Sequence, residues 1–251
     1  QSFEKILKHL KINFSRYEHN ENYYKVSNSS ILINNNIFKN GLITVQNPFS
    51  NYVCKLLDPK ESDVIIDACA SPGGKTAYIS ELMNNKGVII AYDINKKRIE
   101  LLKNTIKRMK VKNVDIIMDD TSKSKLPKAD KILLDVPCSG TGVLDKYPDI
   151  KWRKSFTDIQ EMALIQNRIL TNTSKYLKTG GTLVYSTCSI EKEENINTIN
   201  NFLHKNQNFK IKNIDTIIPK EFINKFGMFE SIPFKHKIDG GFAASLIKNA
   251  N

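Results

Sequence analysis

The sequence contains no apolar run approaching the ~20 residues that a helix needs to cross a bilayer. It also has no C-x-x-C pair, no evident internal repeat and no disordered linker. The first absence argues against a membrane protein. The second leaves the four cysteines, Cys54, Cys69, Cys138 and Cys188, without the spacing of a structural zinc site, so no metal is expected. Nothing near Gln1 reads as a secretory signal, and a disulfide scaffold has no support. A chain opening on Gln instead of Met is expected to be part of a longer protein. An intracellular location is expected, but any segment deciding between cytoplasm, nucleolus and organelle would lie upstream.

Two phosphate-binding signatures are missing as well. Gly74-Lys75-Thr76 ends like a P-loop, but the required first glycine would fall at Cys69. The dinucleotide fingerprint G-x-G-x-x-G is absent too.

What is present is positive charge. A formal net charge of +12 over 251 residues points toward a polyanion such as nucleic acid. Lys and Asn are spread through the whole chain, however, so charge alone does not separate a nucleic-acid partner from compositional bias. Hydrophobic residues make up 40% and charged residues 25%, proportions of an ordinary globular core.

Residues 1–45 read as a small N-terminal α+β module. Phe3, Ile6, Leu7 and Leu10 have helical spacing, and the segment after them, through ILINNNIF, reads as short strands and turns. Residues 46–251 form the main domain, where strands and helices alternate. DVIIDACA, GVIIAYDI, NVDIIMDD, DKILLDVP and GGTLVYSTC are the strands. Ile99, Leu102, Ile106 and Met109 mark one helix face. Ser155 and Asp158 form a capping box opening a long helix, with a stripe at Ile159, Met162, Ala163, Ile169, Leu170, Thr173 and Leu177. Ile196, Ile199, Phe202 and Leu203 mark the next helix. Such alternation predicts an α/β fold with a mainly parallel sheet and helices on both faces. Ligands then bind beyond the carboxyl ends of the strands.

The candidate site residues fall at those ends. The first strand runs through Cys69, Ala70, Ser71, Pro72, Gly73, Gly74 and Lys75 into a helix, a turn that lets a ligand approach the backbone closely. Asp93 ends the second strand, where a carboxylate can accept from both hydroxyls of a ribose. Asp120 closes the third, within reach of an adenine edge. Together these describe an adenosyl cleft. Asp135 and Cys138 follow the fourth strand and Cys188 the fifth. One buried cysteine is an ordinary core residue, as expected for Cys54; two at adjacent strand ends point to chemistry.

DACASPGGKT, DVPCSGTG and YSTCS are the signatures by which the chain resembles the Nop2/Sun family of RNA cytosine-5 methyltransferases. The likeness runs from about residue 41 to DGGFAASLIK. GTGVLDKYPDIKW is most like the bacterial small-subunit rRNA branch, which carries a helical RNA-binding domain upstream. Two departures stand out: Ser71 replaces the second alanine of AAPGGK, and DGFF reads Asp239-Gly-Gly-Phe242. The second bears on the packing of the last hairpin, not on the chemistry.

The resemblance implies a Rossmann-like class I fold with a seven-stranded sheet and S-adenosyl-L-methionine as cofactor. The cofactor is expected along Cys69–Lys75, at Asp93, Asp120 and Asp135, with Arg98 bracing the same wall. RNA is the implied partner, ribosomal before transfer RNA, and the protein is expected to be a monomer. Cys188 is assigned the attack on carbon 6 of cytosine, Cys138 the release step and Asp135 the N3/N4 edge. Lys75 is to orient the site and favour the thiolate. A non-catalytic RNA-binding or ribosome-assembly protein on the same fold is the rival, against which the paired cysteines argue.

Overall fold

The computed structural model describes residues 3–18 and 20–250. The N-terminal segment comprises α1 (Phe3–His9), a hairpin of β1 (Phe14–Tyr17) and β2 (Asn20–Val26), and two short helices, α2 (Ser29–Ile33) and α3 (Asn36–Lys39). The last two correct the expectation of strands and turns through ILINNNIF. Asparagine decides it: the Asn28 and Asn35 side chains accept from the backbone N–H of Ser30 and Ile37, capping a helix start each time. Leu7, Ile12 and Leu32 form a separate buried cluster here. Arg108 fastens the segment to the rest of the chain, donating to the carbonyls of Phe38 (2.9 Å) and Ile43 (3.0 Å) and lying over the Phe38 ring.

Beyond it come α4 (Pro48–Leu57), β3 (Val64–Asp67), α5 (Gly74–Leu82), β4 (Val88–Asp93), α6 (Lys96–Arg108), β5 (Val114–Met118) and β6 (Ala129–Asp135). Then follow α7 (Ile150–Arg153), α8 (Phe156–Thr173), β7 (Leu177–Thr187), α9 (Ile196–Lys205), β8 (Phe209–Ile211), β9 (Phe229–Ser231), α10 (Pro233–His236) and β10 (Gly241–Lys248). The strands pair in the order β5-β4-β3-β6-β7-β10-β8. The five from β3 to β7 are parallel, and β10 runs antiparallel to its neighbours. The expected seven-stranded path is present, with β9 added as an eighth strand against β10.

Alternation along the strands divides the core. Ile66, Ile132, Leu134, Leu183 and Tyr185 face α8 and α9, while Ile65, Leu133 and Val184 face α4 and α5. Each such fully buried aliphatic side chain contributes about 1.5–3 kcal/mol. The capping box of α8 is formed as expected. Its stripe ends earlier, however: a 3-10 turn at Ser174–Tyr176 closes the helix, and Leu177 begins β7. The turn carries the apolar spacing past the helix end, so Leu177 is buried as a strand residue. The last hairpin packs through the glycine that departs from DGFF. A Cβ at Gly241 would stand 2.6 Å from the Phe49 ring and 2.7 Å from the Thr187 carbonyl.

Successive strands run outward from β3 through β5, then the chain crosses back to β6 and β7. The reversal leaves a crevice at the carboxyl ends of β3 and β6, the usual ligand position in open α/β sheets.

Candidate active site at the carboxyl ends of the sheet

The turn after β3 is shaped by its backbone. Gly73 has φ +101°, and a Cβ there would lie 2.8 Å from Leu102 Cδ1, so α6 packs directly on the glycine. Ser71 does more than replace an alanine. Its hydroxyl donates to the Arg98 carbonyl at 2.5 Å, and the Arg98 guanidinium returns a bond to the Ser71 carbonyl at 2.8 Å. Arg98 also faces Asp93 at 3.3 Å, so it braces this wall as expected. Asp93 is 4% exposed and takes the Asn95 N–H on its other oxygen.

A cleft of about 290 Å³ opens here, lined by Cys69, Asp93, Arg98 and Asp120. Ala70, Ser71, Pro72, Gly73, Gly74, Lys75 and Asp135 are not among its lining residues. Ala70 is buried instead against Ala77 and Ile99. Sequence reasoning missed Ile94, Thr121, Pro137 and Ile165, which supply apolar and hydroxyl surface to the same cleft. The donor and acceptor set fits a nucleoside: Asp93 at the head of α6 for a diol, Asp120 toward a base edge, and aliphatic walls for a flat ring. Asp120 is held by the Ser122 N–H and by Lys123 at 3.4 Å, and its pKa falls because these contacts outweigh burial.

Pro137 lines the cleft, and the next residue, Cys138, opens the second half of the site. Cys138 Sγ is 3.0 Å from Cys188 Sγ. The following serines are joined too, Ser139 Oγ lying 3.2 Å from Ser189 Oγ. Glu194, wholly buried, accepts from the Ser139 N–H at 2.8 Å, from the Ser139 hydroxyl and from the Gln166 amide at 2.9 Å. Gln166 also donates to the Pro137 carbonyl, and the Tyr185 hydroxyl donates to the Glu194 carbonyl. This buried network, absent from the expectations, fixes both cysteine loops.

Lys75 and Asp135 stand beside the thiols. Lys75 Nζ is 2.7 Å from Asp135 Oδ2, and the Ser186 hydroxyl donates to Oδ1 at 2.8 Å. Burial opposes the Lys75 charge, but Asp135 outweighs it and holds the ammonium on. The hydrogen bond from Cys138 is the largest influence on Cys188 and lowers its pKa; Lys75 helps, while burial and Asp135 oppose. The same contact raises Cys138, and burial raises it further. The two thiols are thus shifted in opposite directions, Cys188 down and Cys138 up. Cys54 and Cys69 are both pushed up by burial; Cys54 is fully enclosed, as expected.

Residues 54–247 match the family of 16S rRNA methyltransferase RsmB/F. The chain belongs to this family. It is 35% identical over 84% of its length to the probable ribosomal RNA small subunit methyltransferase B of Bacillus subtilis. Another relative is the tRNA (cytosine(72)-C(5))-methyltransferase of Pyrococcus horikoshii, 39% identical over 84% of this chain. The chain spans about half the length of these relatives, 49% and 54% respectively. The crystal structure of NSun6 from Pyrococcus horikoshii with SFG, an S-adenosylmethionine analogue, superposes at a TM-score of 0.80. That match has 36% identity and covers 87% of this chain and 56% of the other. The fold is the class I methyltransferase fold expected from the motifs.

Proposed function

We propose that the chain catalyses S-adenosylmethionine-dependent methylation of carbon 5 of cytosine in RNA. The observation carrying this reading is the thiol pair, Cys138 and Cys188 at 3.0 Å, next to the cleft lined by Asp93, Asp120 and Pro137. When bound along Cys69, Asp93, Arg98 and Asp120, the cofactor supplies an electrophilic methyl group.

Carbon 5 of cytosine is a poor nucleophile. Cys188, as thiolate, forms a bond to carbon 6, and the displaced π electrons make carbon 5 nucleophilic. Asp135 retains lone pairs beyond those used by Lys75 and Ser186, and it accepts from the N4 amino edge of the ring. Lys75 pairs with that carboxylate and favours the Cys188 thiolate. After transfer a base takes the carbon 5 proton, and the electrons of that carbon–hydrogen bond re-form the double bond between carbons 5 and 6. The bond from carbon 6 to sulfur breaks, expelling Cys188 as thiolate. Cys138, 3.0 Å away, serves this release step.

Ribosomal RNA is the preferred substrate, supported by the family match over residues 54–247. The Pyrococcus horikoshii relative supports transfer RNA as the second reading. Residues 1–45, with their own cluster, are read as a module appended to the catalytic domain of 46–251. Bisulfite sequencing of RNA from cells with and without the gene tests the proposal: one methylcytosine should be lost. An unchanged map, with the protein expressed in the control cells, would overturn it.

A further inference from the structure

The chain from Cys138 to the first residue of α8 holds three strongly exposed aromatic rings: Tyr147 at 58%, Trp152 at 83% and Phe156 at 60%. Single exposed apolar residues are ordinary, but rings gathered in one short stretch mark a contact surface. Lys151, Arg153 and Lys154 stand exposed between them. Lys151 Nζ lies 5.4 Å from the Trp152 ring centre. Arg153 is paired with Asp149, whereas Lys151 and Lys154 make no ion pair among the described residues.

The stretch is fastened to the site. The Gly142 N–H donates to the Cys188 carbonyl at 2.9 Å, and the Gly142 carbonyl accepts from Gly240 at 2.8 Å. Lys146 pairs with Asp239 at 2.7 Å. Ile150 packs on Gly140, two residues beyond Cys138, with its Cδ1 3.3 Å from where a Cβ would be. Trp152 thus sits on a short helix seated on the Cys138 loop. The Gly240 contact brings in a further segment, where Phe234 is 88% exposed and is followed by the exposed Lys235 and Lys237.

The composition selects the partner. The core of a protein–protein contact is depleted in lysine, yet here lysines adjoin the rings. Exposed rings interleaved with unpaired cations suit a single strand, whose bases stack while its phosphates meet the charges. Trp152 is joined to the thiol pair only through Ile150 and the Gly140 loop, so a base stacked on it would lie near the thiols and not on them. Such a base is therefore a neighbour of the reacting cytosine.

We propose that Trp152, with Tyr147 and Phe156 beside it, stacks an unpaired nucleotide flanking the target cytosine, while Lys151 and Lys154 hold adjoining phosphates. Stacking there offsets the cost of drawing the target out of its own stack. The inference rests on the RNA reading above and adds the residues that grip the strand.

Trp152 is the sole tryptophan of the chain, so its emission reports on this ring alone. Titration with a short cytosine-containing single-stranded oligoribonucleotide at low ionic strength should quench that emission as the strand binds. A blunt RNA duplex of equal length should not. By fluorescence anisotropy of a labelled strand, Trp152→Ala should bind roughly ten-fold more weakly, and Trp152→Phe should recover most of the loss. Saturated binding without quenching would overturn the proposal and give the rings to a protein contact. No binding at low ionic strength would overturn it too. Failure of the methylation reading looks different: quenching and ring dependence would persist while no RNA becomes methylated. Conversely, methylation with an unchanged KM in Trp152→Ala would leave the chemistry intact and reject the stacking role.

Discussion

Cys138 and Cys188 lie fifty positions apart in sequence and 3.0 Å apart in space, each one to three residues beyond a parallel strand. Their environments are unequal, since the hydrogen bond between them lowers one thiol and raises the other. That inequality predicts different failures. Cys188→Ala should bind RNA and cofactor yet form no covalent adduct. Cys138→Ala should attack but stall, leaving a protein–RNA conjugate that survives denaturing electrophoresis. The reverse pattern would make Cys138 the nucleophile.

Lys75 is the cation that favours the Cys188 thiolate. Replacing it with methionine keeps much of the packing and removes the charge. Alkylation of Cys188 by iodoacetamide near neutral pH, followed by mass spectrometry, should then slow severalfold, because a cation that favours the thiolate is gone. In the unaltered chain Cys188 should be labelled before Cys138. Equal labelling of the two would contradict the assignment of thiolate and thiol.

Glu194 joins the loops that carry the thiols. Glu194→Gln presents an amide N–H where Ser139 needs an acceptor, leaving buried donors opposed. A loss of about 1–3 kcal/mol in urea unfolding is expected. Adduct formation should fall further than stability, because the sulfur separation depends on Ser139 and Ser189. Full activity in a destabilised variant would reduce Glu194 to a packing role.

The strand ends were legible because each functional residue lies within a short distance of an apolar run, and a parallel sheet gathers those ends. Cys138, Cys188 and Asp93 were found this way, whereas Arg98, inside α6, came only from the family resemblance. Glu194 was not: it stands in the polar run EKEEN, where nothing distinguishes it from its solvated neighbours. Gln166 did leave a signal, since it is polar in the middle of the apolar stripe of α8 and wholly buried. The short helices α2 and α3 were hidden for a different reason. They are too brief to show a period, and only their asparagine caps announce them.

Asp67 ends β3, fully buried, with its carboxyl pushed up to about 7, chiefly by burial and further by Asp135, against the Thr76 hydroxyl that donates to it. The unfolded value is near 3.9. Between the two the unfolded chain has lost its proton while the folded chain keeps it, so Asp67 makes stability fall as pH rises from about 4 to 7. Asp67→Asn cannot titrate. Its stability relative to the unaltered chain should therefore climb across that window by on the order of 4 kcal/mol at most, then level off. Urea unfolding of both proteins at a series of pH values measures the difference. A gap that does not change with pH would show that Asp67 keeps an ordinary pKa.

Asp93 and Asp120 line one cleft but differ in surroundings, and the difference sets the last expectation. Asp93 is buried between Arg98 and the start of α6, so a ligand hydroxyl there meets a fixed carboxylate that water hardly reaches. Asp120 is more open and is shared with Lys123. At one hundred times Kd a ligand stabilises the folded state by about 2.7 kcal/mol, enough to read as a shift in Tm. Asp93→Ala should abolish most of the shift produced by S-adenosylmethionine, whereas Asp120→Ala should only reduce it. Asp93→Asn separates charge from shape: it keeps one acceptor and should retain an intermediate shift. If Asp93→Ala binds the cofactor as tightly as the unaltered chain by calorimetry, the ribose does not lie at the end of β4.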